Sequence, residues 1–296
     1  MKELDWANLP FGYMKTDYNV RIYYRNEQWG ALEVCSEETI PMHMAATCLH
    51  YGQEAFEGLK AFRGKDGKVR IFRLEENAAR LQSTCRGILM PELPTERFKE
   101  AILKVVKLNE RFIPPYESGA SLYIRPLLVG TGAQVGVHPA KEYLFVVFVT
   151  PVGPYFKGGF STNPYVIIRE YDRAAPLGTG VYKVGGNYAA SLRANKKAHD
   201  LGYACEFYLD AKEKKYIDEC CQLLRYQGQY VYHSEIHFYS SVHHQQEPDA
   251  TGRGYGHESR TPSGSGRRAA YFRGSGRLWH GCRYQSDRAH RRCGER

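Results

Sequence analysis

The sequence predicts a mixed α/β (α+β) chain of two domains. Three observations carry this. A length of 296 residues suits two domains of ordinary size. Strand-like and helix-like patterns alternate through the N-terminal half. A Pro- and Gly-rich stretch at 151–159 follows a long apolar strand and reads as an interdomain linker. No early stretch is apolar enough for a signal peptide. None reaches the ~20 residues of a membrane span, so no membrane partner is expected. No internal repeat is evident.

Taken in order, residues 69–72 read as a strand and 75–88 as a helix that carries Arg80. Thr95 reads as an N-cap. Phe98, Ala101, Ile102, Val105 and Asn109 then trace one face of a helix. Residues 142–150 contain Tyr-Leu-Phe-Val-Val-Phe-Val, a near-continuous apolar run that predicts a strand buried on both faces. Residues 1–150 therefore form a smaller N-terminal α/β domain, 151–159 the linker, and 160–220 the start of a second domain. Within that second part, 189–200 reads as a helix. Glu206 to Asp210 and Lys215 to Glu219 read as a hairpin around the polar turn Ala211-Lys212-Glu213-Lys214.

Lys183 is the residue richest in chemistry. It stands in Gly178-Thr179-Gly180-Val181-Tyr182-Lys183-Val184-Gly185-Gly186-Asn187-Tyr188, between glycines, with a phenol five residues on. Glycines let the backbone approach a bulky group, and burial lowers an amine pKa so that it can attack an aldehyde. The plainer reading is a surface lysine in a Gly-rich turn. Glu219, at a predicted strand end, is a candidate partner for a pyridinium nitrogen, which it would keep protonated as an electron sink. Its plainer reading is a solvated carboxylate.

The wider pattern decides between these readings. Leu49-His50-Tyr51-Gly52, Phe56-Glu57-Gly58-Leu59-Lys60-Ala61-Phe62-Arg63-Gly64, Ala120-Ser121-Leu122-Tyr123-Ile124-Arg125-Pro126, Thr150-Pro151-Val152-Gly153-Pro154-Tyr155-Phe156 and Lys183 to Tyr188 are dispersed and ordered. With them, residues 1–220 resemble a branched-chain amino acid aminotransferase of the class IV pyridoxal-phosphate fold. The resemblance implies a two-domain fold, pyridoxal 5'-phosphate as cofactor, a homodimer and a cytoplasmic setting. It implies amino transfer between Leu, Ile or Val and 2-oxoglutarate.

Residue by residue, it makes Lys183 the Schiff-base lysine and proton shuttle. Tyr188 becomes the hydroxyl on the cofactor phenolate and Glu219 the pyridinium partner. Arg80 becomes the phosphate-binding arginine, since a guanidinium's forked donors suit a dianion. Tyr123 and Arg125, at period two on a strand, face the same way and organise recognition of the substrate carboxylate. Phe56, Val152 and Tyr155 line the side-chain pocket. Tyr51 and Val137 are residues that a second subunit contributes. Weaker class alternatives are a D-amino acid aminotransferase and an aminodeoxychorismate lyase. The apolar trio Phe56, Val152 and Tyr155, with Tyr123-Ile124-Arg125, favours the branched-chain group.

The tail departs from this pattern. From Cys221 to Arg296 there are 12 arginines, no lysine, 7 of the 11 histidines and three leucines. Its net charge of +6 exceeds the +3 of the preceding 220 residues. Apolar periodicity ends, and Thr261-Pro262-Ser263-Gly264-Ser265-Gly266 predicts a disordered, non-family tail over 221–296. One reading is a basic arm for an acidic surface, on an otherwise non-catalytic truncated homologue; a nucleic-acid partner is not expected. His233, His237, His243, His244, Cys282 and Cys293 lack the spacing of a zinc site, so no metal is expected. Nor are disulfides expected from the eight cysteines, because the resembled family is intracellular.

A third reading is a shift of frame. With suitable codons, Gln222 to Val231 read one base later gives Asn-Phe-Phe-Gly-Ile-Lys-Asp-Asn-Thr-Tyr. That resembles the family segment after the catalytic glutamate. The same offset turns Tyr239 to His244 into Ser-Ile-Leu-Pro-Ser-Ile-Thr, similar to the family's phosphate-cradling turn. It turns Gly276 to Tyr284 into Ala-Gly-Ala-Cys-Gly-Thr-Ala-Ala-Val, similar to its last active-site loop. This predicts an insertion or deletion near Cys220, an incomplete cofactor domain and impaired activity.

Overall fold

The computed structural model describes residues 4–153 and 163–219, and after them only the short strands at 224–227, 230–233, 277–278 and 282–284. Side chains of Asn163, Glu219 and all later residues lie outside the described set. The chain divides into two units, Met1–Gly159 with Tyr182–Gly186, and Phe160–Val181 with Asn187–Arg296.

In the first unit the strands are β1 (Asn19–Arg25), β2 (Gln28–Cys35), β3 (Glu54–Phe56), β4 (Leu59–Arg63), β5 (Val69–Ile71), β6 (Ser121–Gly130) and β7 (Tyr143–Val152). They form one antiparallel sheet in the order β2-β1-β7-β6-β4-β5, with β3 also on β6. Between them run the short α1 (Thr47–Tyr51), α2 (Leu74–Gly87) and α3 (Thr95–Leu108).

The apolar run of β7 is continuous because the strand is covered on both sides. Phe145 and Val147 join the main core with Leu81, Phe98 and Ile102 of α2 and α3, while Leu144 and Val146 pack in a separate cluster with Val129. The predicted face of α3 is wholly buried. Its polar member, Asn109, has a structural use. The Oδ1 accepts the N–H groups of Asp17 (3.0 Å) and Tyr18 (3.1 Å), and Nδ2 donates to the carbonyls of Tyr18 (2.9 Å) and Val105 (2.8 Å). Asn109→Ala strands these groups at about 1–3 kcal/mol each. We expect a clear drop in the urea midpoint, larger than that of Lys107→Ala two residues earlier on the exposed face.

A proline sets the shape of the sheet edge that matters most. β3 pairs with Phe56↔Leu127 to Glu54↔Val129, and β4 resumes at Leu59↔Ile124. The gap lies opposite Pro126, which has no N–H to donate to that edge. Pro126 still accepts the Glu57 N–H through its carbonyl at 2.9 Å. The chain therefore bows between the two strands, and the Glu57 side chain turns fully inside.

In the second unit, β8 (Asn163–Ile168), α4 (Gly185–Asp200) and β9 (Cys205–Leu209) make a parallel crossover. Ile168, Ala194 and Tyr208 form its core. β9 returns through β10 (Ile217–Glu219), the predicted hairpin. Its turn is pinned by Asp210, whose carboxylate accepts N–H groups of Glu213, Lys215 and Tyr216 at 2.6–2.8 Å.

Three boundaries differ from the sequence reading. Thr95 is the first helical residue rather than the N-cap. Pro94 holds the cap position and no side chain caps the helix. α4 starts at Gly185, four residues early, because the glycine pair lies within its first turn. β7 runs through Val152 into the expected linker, since Pro151 and Val152 pair with Leu122 and Ser121. The remaining linker, 154–159, lies outside the described residues, as does most of 221–296 with its expected disorder. Strands β11 (Leu224–Gln227) and β12 (Tyr230–His233) pair antiparallel, and β13 (Arg277–Leu278) and β14 (Cys282–Tyr284) lie in the sheet of β8. Among the described residues no helix is long and apolar enough to cross a membrane, and no group of three or more His, Cys, Asp or Glu is arranged to hold a metal ion.

Candidate active site

Lys183 follows a 3-10 turn, Thr179–Val181, and precedes α4. Its own backbone is held on both sides. The Lys183 N–H donates to Thr84 Oγ1 of α2 at 3.1 Å, and its carbonyl accepts the Phe56 N–H of β3 at 3.2 Å. Just beyond, the Glu54 carboxylate packs on Gly185, where any side chain would overlap its Oε1. Just before, the Tyr182 ring covers the backbone of Gly87, where any side chain would overlap it. The amine, Nζ, stands 4.5 Å from the centroid of the Phe56 ring.

Arg80 lies on α2, one turn before Thr84. Its Nε and Nη2 each donate at 2.7 Å to the two oxygens of Glu57, a bidentate pair. Glu57 has no solvent exposure and the Arg80 side chain 11%. Asn77 Nδ2 also donates to Glu57, at 2.9 Å. Glu57 was assigned no role from sequence. It stands inside a quoted motif, but nothing in the pattern marks its carboxylate as buried.

Tyr123 and Arg125 do face the same way on β6, as their period-two spacing requires. Arg125 Nη2 donates to the Tyr123 hydroxyl at 2.9 Å, and its guanidinium lies 4.9 Å from the Phe56 centroid. Tyr123 also closes over Gly58, where a Cβ would meet its hydroxyl. The Arg125 Nε is buried with no hydrogen-bond partner. Phe56 thus meets both Arg125 and Lys183. Burial raises the Glu54 pKa, against the lowering effects of the Gly185 N–H and the Arg125 charge.

The remaining members fall elsewhere. Val152 ends β7, buried and paired with Ser121. Tyr155 lies outside the described residues. Tyr51 and Val137 are exposed, at 42% and 83%, and the Tyr51 hydroxyl accepts the Gly136 N–H at 3.0 Å.

Tyr188 and Glu219 belong to the second unit. Tyr188, on α4, is exposed, with the Arg173 guanidinium 5.2 Å from its ring centroid. Arg173 is buried and donates to the Asn187 carbonyl at 2.6 Å. Asn187 ties α4 to the preceding turn by two bonds with Thr179, at 2.8 and 2.9 Å. The Glu219 backbone pairs with Tyr208, and its side chain is outside the described set. Its neighbour Asp218 is half-buried. Burial raises its pKa most, Asp210 raises it further, and Arg173 pulls it down. Arg173, Asn187 and Thr84 escaped the sequence reading because no spacing connects them to a known role.

Comparison with known proteins gives a consistent picture. Residues 54–222 match the family model of amino-transferase class IV. The chain is 48% identical over 224 residues to a branched-chain-amino-acid aminotransferase of Haemophilus influenzae, and 49% over 220 residues to one of Helicobacter pylori. Each alignment covers 74% of this chain, and the chain spans 65% of each relative's length. Among solved structures, the branched-chain amino acid aminotransferase of Escherichia coli superposes with a TM-score of 0.68 at 23% identity, over 83% of this chain and 77% of that one. One from T.th., solved with pyridoxamine 5'-phosphate, gives 0.63 at 23% identity, over 81% and 75%. At such identities the likeness is one of fold.

Proposed function

The chain belongs to the class IV aminotransferase family, and we propose that it is built for pyridoxal-phosphate-dependent amino transfer between Leu, Ile or Val and 2-oxoglutarate. The observation that carries this reading is Lys183, an amine against the Phe56 ring with its backbone hydrogen-bonded on both sides. The donor set fits the cofactor's chemistry. There is an amine for an aldehyde, a guanidinium at Arg80 for a phosphate, a phenol at Tyr188 for the ring oxygen and a carboxylate at Glu219 for the ring nitrogen. Pyridoxal phosphate, when bound, supplies the aldehyde and a ring that accepts the electron pair left at the substrate Cα.

Lys183 Nζ, in this reading, binds the cofactor, yields it to the substrate amine and carries the proton from Cα. Arg80, already oriented by Glu57, binds the phosphate. Arg125 uses its buried, unpartnered Nε on the substrate carboxylate, with Tyr123 steadying the guanidinium. Phe56, Val152 and Tyr155 favour an apolar side chain. Tyr51 and Val137 serve a second copy in a cytoplasmic homodimer; both are exposed, as a residue destined for a partner must be.

The test is direct. Purified protein with added pyridoxal phosphate is expected to show visible absorbance, and borohydride with peptide mapping to fix the cofactor on Lys183. Lys183→Ala removes both signals. A label on another lysine, unchanged in that variant, would overturn the assignment.

A second reading has one observation in its favour. The family match ends at residue 222, where the arginine-rich tail begins. The chain as written is then a non-catalytic homologue with a basic tail, and it would show neither signal.

A further inference from the structure

Thr84 and Glu54, beside the Lys183 backbone, are named by no motif, yet they come from the two elements that also carry Arg80 and Phe56. Thr84 lies on α2 one turn after Arg80, so one rigid helix sets both the Lys183 N–H and the guanidinium. Glu54 and Phe56 lie two residues apart on β3 and so point to the same side. The Glu54 carboxylate packs on the Gly185 backbone, Phe56 gives its N–H to the Lys183 carbonyl, and the Phe56 ring meets the amine. The fit at Gly185 is close: any side chain there would overlap Glu54 Oε1.

We propose that Thr84 and Glu54 are positioning residues, a two-point anchor that fixes the Lys183 backbone so that a flexible side chain delivers its amine to one place. The proposal rests on the reading of Lys183 as the cofactor lysine. Both act through the backbone: Thr84 accepts the Lys183 N–H, and Glu54 packs on Gly185 two residues on. Without the anchor, Nζ keeps its reach but loses its direction, and amine chemistry is steep in that geometry.

The experiment uses the full chain and two readouts. Hydrogen exchange of the peptide spanning 182–186 reports the anchor without any cofactor. Borohydride trapping of added pyridoxal phosphate, quantified at Lys183 by peptide mapping, reports the amine. Thr84→Val removes the acceptor and Glu54→Ala the packed carboxylate, while Thr84→Ser keeps the hydroxyl and Glu54→Gln the packing. In the first pair exchange is expected to rise roughly 2- to 10-fold, the worth of one net hydrogen bond. Labelling falls several-fold, and exchange of the α3 peptide 95–108 stays unchanged. The conservative pair restores both readouts, which general loss of stability would not allow.

Unchanged exchange at 182–186 in both Thr84→Val and Glu54→Ala overturns the proposal. So does faster exchange with labelling equal to the parent. If exchange rises but the parent itself is never labelled at Lys183, the anchor stands and the cofactor reading of Lys183 falls.

Discussion

Replacing Arg80 by alanine is expected to destabilise the first unit by about 3–5 kcal/mol, the usual cost of breaking a buried ion pair from one side. Glu57 has no solvent exposure, and two of its hydrogen bonds, both 2.7 Å, come from Arg80. After the substitution its carboxylate keeps Asn77 and the weaker Gly58 N–H at 3.3 Å, with no compensating charge. The double variant Arg80→Ala/Glu57→Gln removes the charge as well, and it is expected to recover a large share of the loss. Urea unfolding followed by circular dichroism measures both. A double variant no more stable than Arg80→Ala would mean that the cost lies in lost packing of the arginine stem, not in the stranded carboxylate. The result bears on function. If Arg80 binds the cofactor phosphate as proposed, weaker cofactor binding by Arg80→Ala alone mixes a lost phosphate contact with a damaged fold. Comparison against the double variant separates them.

Where the chain repeats a period or a near-continuous apolar run, its structure was legible. The run at 142–150 announced a strand covered on both faces, and the spacing of Phe98, Ala101, Ile102 and Val105 announced the face of α3. Single residues read less well, because their role depends on partners far along the chain. Thr84 is 99 residues from Lys183 and Asn109 is 91 from Tyr18. Nothing in the sequence around Glu57 marks its carboxylate as buried. What buries it is a proline on the neighbouring strand, whose missing N–H opens the β3–β4 edge. The Gly185-Gly186 pair misled in the other direction. Glycine marks a loop in most sequences, but here the pair lies inside the first turn of α4, and the lack of a side chain at 185 leaves room for Glu54. Tyr123 and Arg125 were placed correctly in relation to each other by strand period alone. That Arg125 would hold a buried donor without a partner could be seen only in three dimensions.

The largest change in activity is expected from replacing the residues after Cys220 by their one-base-offset translation, the test of the frame-shift reading. The family match reaches residue 222, and the chain spans 65% of each of these relatives. On the frame-shift reading, and with suitable codons, a chain carrying the one-base-offset translation from that point contains Leu-Pro-Ser-Ile-Thr and Gly-Thr-Ala. Backbone N–H groups in such turns hold a phosphate and a carboxylate without a charged side chain. An anion left without its donors costs roughly 1–3 kcal/mol or more. Since about 1.4 kcal/mol is tenfold in rate, the frame-shift reading expects the lack of two such loops to remove most of the turnover. The restored chain is expected to transfer the amino group from leucine to 2-oxoglutarate at a measurable rate, and the chain as written to show little or none. The assay is coupled glutamate formation with both proteins at equal, soluble concentration. Equal turnover by the two would show that residues 222–296 complete the site as they stand, and would end the frame-shift account.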